Sequence, residues 1–199
     1  LSQSQLLKGR KVLVTAGGTQ EPLDPVRYLV NRSSGKMGYA IAQAFAEAGA
    51  EVVLISAPTG LQVPSGVHRV SVCTAEEMYE AVLERYAEQD VVIKAAAVAD
   101  YRPATAHDHK IKKLEQGERL TIELVPNPDI LAELGRRKTH QILIGFAAET
   151  HNVKQYAQDK IKRKNLDMLV ANDVSLEGAG FGADTNVVSF IYRDGSVKD

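Results

Sequence analysis

The chain has one cysteine, Cys73, which is too few for an internal disulfide or a thiolate metal cluster. Cys73 sits in an apolar-alternating stretch and is expected to be a buried core thiol. Neither charge is in surplus: 24 Lys plus Arg stand against 25 Asp plus Glu. A general nucleic-acid binder needs a basic excess, so that class is set aside. No run approaches the ~18 apolar residues of a membrane helix, and the start lacks the charged-then-apolar pattern of a signal peptide. A cytoplasmic location is the default expectation, with no nucleic acid and no membrane as partner. The five histidines show no metal-ligand spacing, and there is no internal repeat. With 199 residues the chain can bury one sizeable core, so residues 1–199 are expected to form a single domain with an excursion.

What is present is organised around Arg27-Tyr-Leu-Val-Asn-Arg-Ser-Ser-Gly-Lys-Met-Gly38. Before it lies an apolar, β-branched run ending in glycines, Val12-Leu-Val-Thr-Ala-Gly-Gly-Thr19. After it comes a helical run closing at Gly49. Strand, long loop and helix start is the arrangement in which an open α/β sheet meets its ligand. Ser33 and Ser34 are placed to cap the helix, whose free N–H groups favour phosphate.

Further along, strand patterns recur at 51–56, 67–72 (alternating), 90–99, 141–147, 167–171 and 187–192, with helical patterns at 75–87 and 153–164 between them. This succession predicts a Rossmann-like, doubly wound, mostly parallel sheet. The stretch from about 101 to 126 breaks the rhythm and reads as an extended flap with strand pairing. Asn127-Pro-Asp129 then opens a helix, with Asn127 as its expected N-cap and Pro128 at the first helical position. Two edges look cut: the chain opens with Leu1-Ser-Gln-Ser, and the last strand is followed by Asp194-Gly195 with no evident returning partner. A longer natural protein is the expectation.

Three strands end in small residues that let a ligand approach the backbone: Thr15-Ala-Gly-Gly, Ala95-Ala-Ala-Val-Ala-Asp100 and Gly145-Phe-Ala-Ala-Glu149. The standard nucleotide motifs nevertheless fail. A P-loop needs glycine where Val30 stands and Ser or Thr where Met37 stands; no Gly-x-Gly-x-x-Gly follows the first strand, and Ile55-Ser-Ala-Pro58 offers no ribose carboxylate. Tyr156 and Lys160 match a short-chain dehydrogenase spacing, but the upstream serine is missing. An NAD(P)-dependent reductase is the alternative this leaves, with a non-catalytic nucleotide-binding domain behind it. The remaining signal is cationic: Lys110, Lys112 and Lys113 on the flap, and Lys160, Lys162, Arg163 and Lys164 at a helix end. Asp100, just past a strand end, is the best-placed metal-binding carboxylate.

Taken together, the motifs resemble the phosphopantothenoylcysteine synthetases of coenzyme A biosynthesis. The resemblance runs from about Lys11 to the end, through 15–28, 31–38, 95–102, 110–113, 127–129 and 145–150 in order. It implies an amide-forming ligase that activates 4'-phosphopantothenate with CTP, releases pyrophosphate, and then joins the acyl-cytidylate to L-cysteine with loss of CMP. It implies catalytic roles for Asn31 and Arg27 beside the acyl group and for Lys110 over the triphosphate. Ser33, Ser34 and Gly35 would offer the helix start to phosphate, and Asp100 would bind nucleotide through Mg²⁺ or Mn²⁺. The family's nucleotide pocket maps onto Lys94, Ala95, Ala96, Pro128, Asp129, Ile130, Leu131, Phe146, Lys160 and Lys164. The resemblance further implies a homodimer, and fusion in the full-length protein to a flavin-dependent decarboxylase that would carry FMN outside this chain. Lys94 departs from an otherwise apolar strand, so its side chain must reach water or ligand.

Overall fold

The computed structural model describes residues 5–113, 119–149, 153–173 and 188–198. In chain order the strands are β1 (Lys11–Ala16), β2 (Gln20–Pro22), β3 (Tyr28–Val30), β4 (Glu51–Ser56), β5 (Val67–Ser71), β6 (Val91–Lys94), β7 (Tyr101–Pro103), β8 (Leu124–Pro126), β9 (Ile142–Glu149), β10 (Met168–Asp173), β11 (Val188–Tyr192) and β12 (Val197–Lys198). The helices are α1 (Lys36–Glu47), α2 (Ala75–Tyr86), α3 (Ile130–Arg137) and α4 (Val153–Arg163).

Val12, Leu13 and Val14 of β1 are all fully buried. A run that is apolar at odd and even positions alike belongs where both sheet faces are covered. β4 and β6 flank β1 in parallel, and the full order is β12-β11-β10-β9-β6-β1-β4-β5. Among the described residues, the β10–β11 and β11–β12 pairs of this sheet are antiparallel and the others parallel. The chain travels outward from β1 through β4 to β5, then crosses back to place β6 on the other side of β1. The direction of winding therefore reverses between β1 and β6, and the carboxyl ends of these two strands frame the crevice where such sheets bind ligands. The expected Rossmann-like, doubly wound, mostly parallel sheet is present.

Two cores sit on the two faces. Leu13, Val92, Leu143 and Leu169 pack with α2, α3 and α4 through Met78, Val82, Leu134 and Ile161. On the other face Val12, Val14, Val52 and Ile93 pack with α1 through Tyr39 and Ala42. At Gly38 a Cβ would lie 2.5 Å from the Ala16 Cβ and 3.0 Å from the Thr15 carbonyl oxygen. The start of α1 thus rests directly on the end of β1, closer than any side chain allows.

Four local expectations are corrected. The long loop between Gly18 and Ser33 contains a hairpin, β2 paired antiparallel with β3. The last strand does have a returning partner, because β12 pairs with β11 across the Asp194-Gly195 turn. In the flap, pairing is confined to β7 with β8, and 120–123 is not strand; residues 114–118 lie outside the described residues. The N-cap of α3 is Asp129, whose carboxylate accepts the Ala132 N–H, and the helix begins at Ile130. Asn127 is used elsewhere, donating from its amide to the Ala99 carbonyl at 2.9 Å and accepting from Arg102. Thr150 of the 145–150 motif and Val187 of the last strand also lie outside the described residues.

Candidate active site

The ends of β1 and β6 are stitched together by backbone and threonine hydroxyls. Ala97 donates to the Gly17 carbonyl at 2.8 Å, and Thr19 donates to the Ala97 carbonyl at 3.2 Å. The buried Thr15 and Thr19 hydroxyl oxygens accept from the Ala96 and Ala99 amides. The small, largely buried residues at the strand ends are therefore held to one another by their own backbone groups. Asn31 is set against this seam: its Nδ2 donates to the Val98 carbonyl at 3.2 Å. A Cβ on Gly18 would lie 2.8 Å from the Asn31 carbonyl oxygen, so glycine is what lets the loop come this close. Asn31 is exposed, and its Oδ1 accepts no hydrogen bond among the described residues.

Ser33 and Ser34 stand at the start of α1 but do not cap it. The N-cap is Gly35 at φ 77°, with no side-chain cap hydrogen bond. Ser33 Oγ accepts from the Gly35 amide at 3.3 Å and Ser34 Oγ from the Lys36 amide at 3.4 Å, both local turns. The serines consume two N–H groups rather than completing the helix end.

A second group gathers from distant parts of the chain. Lys94 ends β6 on the face of Val92, which α3 and α4 cover. Lys164 Nζ lies 2.8 Å from Asp129 Oδ2, and Lys160 Nζ donates to the Phe146 carbonyl at 3.3 Å. Desolvation, and then repulsion from Lys160 and Lys164, lower Lys94 to about 8 against the opposing pull of Asp129 and Asp100. Asp129 is itself held below its ordinary value: burial pushes it up, but the hydrogen bonds from Lys164 and the Ala132 amide, with the charges of Lys164 and Lys94, together outweigh that cost. Three lysines gathered at one place suit an anion of several charges, such as a polyphosphate. Lys160 also lies 6.0 Å from the centre of the Tyr156 ring. The spacing of that pair is thus met by cation–π contact and a backbone carbonyl.

Ala95 and Ala96 lie on the seam itself. Ile130 and Leu131 are buried in the core, so at the start of α3, after Pro128 and the capping Asp129, they present backbone N–H groups rather than side chains. The Phe146 side chain packs with Val12, Val14 and Tyr39 on the α1 face, opposite the Lys94 side of the sheet. A ligand touching both groups has to cross the carboxyl edge.

Arg27 and Lys110 are joined through a residue that the sequence reading passed over. Asp24 is buried, and its carboxylate accepts from the Val26 and Arg27 amides at 2.9 Å, from the Arg27 guanidinium and from the Ile111 amide at 3.1 Å. Arg27 Nη2 also donates to the Ile111 carbonyl at 2.8 Å. The Arg27 guanidinium, then these amides, hold the Asp24 carboxyl well below the usual carboxylate range despite its burial. Glu21 was missed too: its buried carboxylate accepts from the Ala75 amide at 2.9 Å and ties the β2–β3 hairpin to the start of α2. Asp24-Pro25 was readable as a turn, but nothing local pointed to Ile111.

Residues 7–199 match the family described as the DNA/pantothenate metabolism flavoprotein C-terminal domain. This chain belongs to that family. Among its relatives, the coenzyme A biosynthesis bifunctional protein CoaBC of Bacillus subtilis is 52% identical over 194 residues, covering 97% of this chain and 47% of that protein. The Escherichia coli K12 protein of the same name is 52% identical over 191 residues, covering 95% of this chain and 47% of that protein. The chain thus spans about half the length of these relatives. Among solved structures, the C-terminal domain of CoaBC superposes with a TM-score of 0.83 at 48% identity, covering 98% of this chain and 87% of that one. A Cab2 H337A variant in complex with phosphopantothenate-cysteine shares the fold, with a TM-score of 0.76 at 18% identity over 95% of this chain and 79% of that one.

Few protein ligands for a divalent metal are present among the described residues. No group of three or more His, Cys, Asp or Glu side chains able to hold a metal occurs among the described residues. Asp100 is exposed, and its carboxylate accepts no hydrogen bond among them. One free carboxylate fits the mode in which Mg²⁺ is held mainly by substrate phosphates and water. Cys73, partly buried, has its thiol pushed up by desolvation and then by Glu77 and Glu21, so it stays protonated and offers no nucleophile.

Proposed function

We propose that this chain is a phosphopantothenate–cysteine ligase of coenzyme A biosynthesis, a single unit over 1–199 whose flap is 101–126. The observation that carries this reading is the gathering of Lys94, Lys160 and Lys164 at the carboxyl end of β6, in a chain of this family. A carboxylate is a poor acylating agent until it bears a nucleotide leaving group. The 4'-phosphopantothenate carboxylate attacks the α-phosphorus of CTP and pyrophosphate departs. The cysteine amine then attacks the acyl carbon and CMP leaves, carrying the electron pair of the broken acyl–oxygen bond.

In this scheme the three lysines and the start of α3 receive the triphosphate, with Lys110 approaching from the flap. Ser33, Ser34 and Gly35 border it from the α1 side, and Phe146 packs beneath the edge. Asn31 meets the acyl carbonyl through a neutral amide, and Arg27 orders the loop beside it. Asp100 would hold Mg²⁺ or Mn²⁺, which neutralises phosphate charge. The chain works in the cytoplasm as a homodimer, and FMN belongs to a fused decarboxylase half.

Pyrophosphate release measured with phosphopantothenate and either CTP or ATP tests the reading directly. CTP-dependent release, followed by CMP release only when cysteine is added, is expected. Tight NADPH binding with no response to CTP would overturn it in favour of a reductase.

A further inference from the structure

The flap lysine has no strand or helix of its own to fix it. Lys110 is exposed, and the pairing of β7 with β8 ends well before it. The residue after it is nonetheless bound at both backbone groups. Ile111 donates its N–H to Asp24 Oδ2, and its carbonyl accepts from Arg27 Nη2. The flap is also tied one step earlier, where the His107 amide donates to the Leu23 carbonyl at 3.0 Å. On the other side, the same Asp24 carboxylate fixes the Val26 and Arg27 amides, four residues before Asn31. A buried carboxylate that satisfies a loop and a flap at once is a rigid joint, because releasing either leaves a desolvated charge underpaired.

We propose that Asp24 is a positioning residue that sets the place of Lys110 relative to Asn31, clasping flap to loop through Arg27 and Ile111. The proposal deepens the ligase reading and rests on it for its kinetic consequence. Asp24 touches no substrate; it acts by holding the Lys110 ammonium over the departing phosphates while the acyl group sits at Asn31. A displacement of the cation by about 1 Å is enough to cost roughly 100-fold in the activation step. Arg27→Lys cannot repair the joint, since one ammonium does not reproduce the planar fork that meets both Asp24 and the Ile111 carbonyl.

The test uses the 199-residue chain carrying Asp24→Asn, Lys110→Gln and the two together. Asp24→Asn should speed hydrogen exchange at the Ile111 amide by about tenfold or more, and lower the turnover of pyrophosphate release by about 100-fold. Asp24→Asn added to Lys110→Gln should cost almost nothing more, because both changes remove the same cation from the same place. Asp24→Glu should restore part of the loss. Ile111→Pro removes the flap N–H, restricts the backbone at positions 110 and 111, leaves the core intact, and should reproduce the Asp24→Asn kinetics even if that variant folds poorly. Multiplicative losses in the double variant, or unchanged exchange at Ile111 in Asp24→Asn, would overturn the clasp. A wild-type chain that releases no pyrophosphate from CTP overturns the ligase reading instead. The joint itself is then decided by exchange at Ile111.

Discussion

Asp129 stands between two helices: its Oδ1 accepts the Ala132 N–H to cap α3, and its Oδ2 lies 2.8 Å from Lys164 Nζ near the end of α4. One carboxylate therefore sets both the helix start and the countercharge of the Lys94 group.

The two duties separate by substitution. Asp129→Ala loses the cap and should destabilise the fold by about 1 kcal/mol. Asp129→Asn keeps the cap, since asparagine is an equally good N-cap, but removes the charge. Urea unfolding should show a loss for Asp129→Ala and little change for Asp129→Asn. Polyphosphate binding at low ionic strength should be at least as tight in Asp129→Asn as in wild type, because Lys164 is released toward the ligand. Weaker binding by Asp129→Asn would mean that the carboxylate itself contacts the ligand.

Lys94 makes binding pH-dependent, with a definite sign. Its folded value, about 8, lies below the usual 10.5, so the fold disfavours its charged form. Between these values the unfolded chain binds more protons, and stability rises with pH there; below about 8 the full penalty is present. An arriving triphosphate favours the ammonium, so binding takes up a proton once the pH passes about 8. CTP affinity, measured by calorimetry without divalent metal, should fall above that pH by no more than about tenfold per pH unit, the limit for one proton. Lys94→Met should bind more weakly and lose the slope.

The two half-reactions should divide between Asn31 and Lys110. Asn31→Asp removes the N–H that meets the Val98 carbonyl and sets a negative charge beside the acyl oxygen. Pyrophosphate release should persist while cysteine-dependent CMP release falls, by about 10²–10³ if the amide serves as an oxyanion-type donor. Lys110→Gln should depress pyrophosphate release itself. Rapid-quench sampling of both products distinguishes the two, and full turnover in both variants would refute the assignments.

How much of this was legible depends on range. The runs at β1, β4 and β6 could be read because strands buried on both faces are apolar at every position, a purely local signature. Lys94 was also legible as an anomaly: a charge at the end of an apolar strand had to meet water or ligand, and it meets the field of Lys160 and Lys164. The α3 cap was misread because Asn127 and Asp129 are both good caps. The choice is made by the Ala99 carbonyl, which takes the Asn127 amide across 28 residues. Asp24 had no legible role, because its bond to Ile111 spans 87 positions. The resemblance puts Phe146 in the nucleotide pocket. Its side chain faces α1, which strand alternation shows only once the pairing of β9 with β6 and β10 is known.

The seating of α1 gives the last prediction. A Cβ at Gly38 would meet the Ala16 Cβ at 2.5 Å and the Thr15 carbonyl oxygen at 3.0 Å, and neither neighbour has a flexible end that can swing away. Gly38→Ala therefore has to lift the helix start from β1. Alanine's better helix propensity recovers at most about 1 kcal/mol, whereas forced overpacking costs about 1–3 kcal/mol. The net effect should be a lower urea midpoint with an unchanged m-value. Because Ser33, Ser34 and Gly35 lead directly into that turn, CTP binding should weaken along with stability. Ala48→Gly, at the C-cap of the same helix, should lower stability without touching binding. Equal losses of binding in both variants would show that α1 supports the fold without contributing its N-terminal end to the ligand.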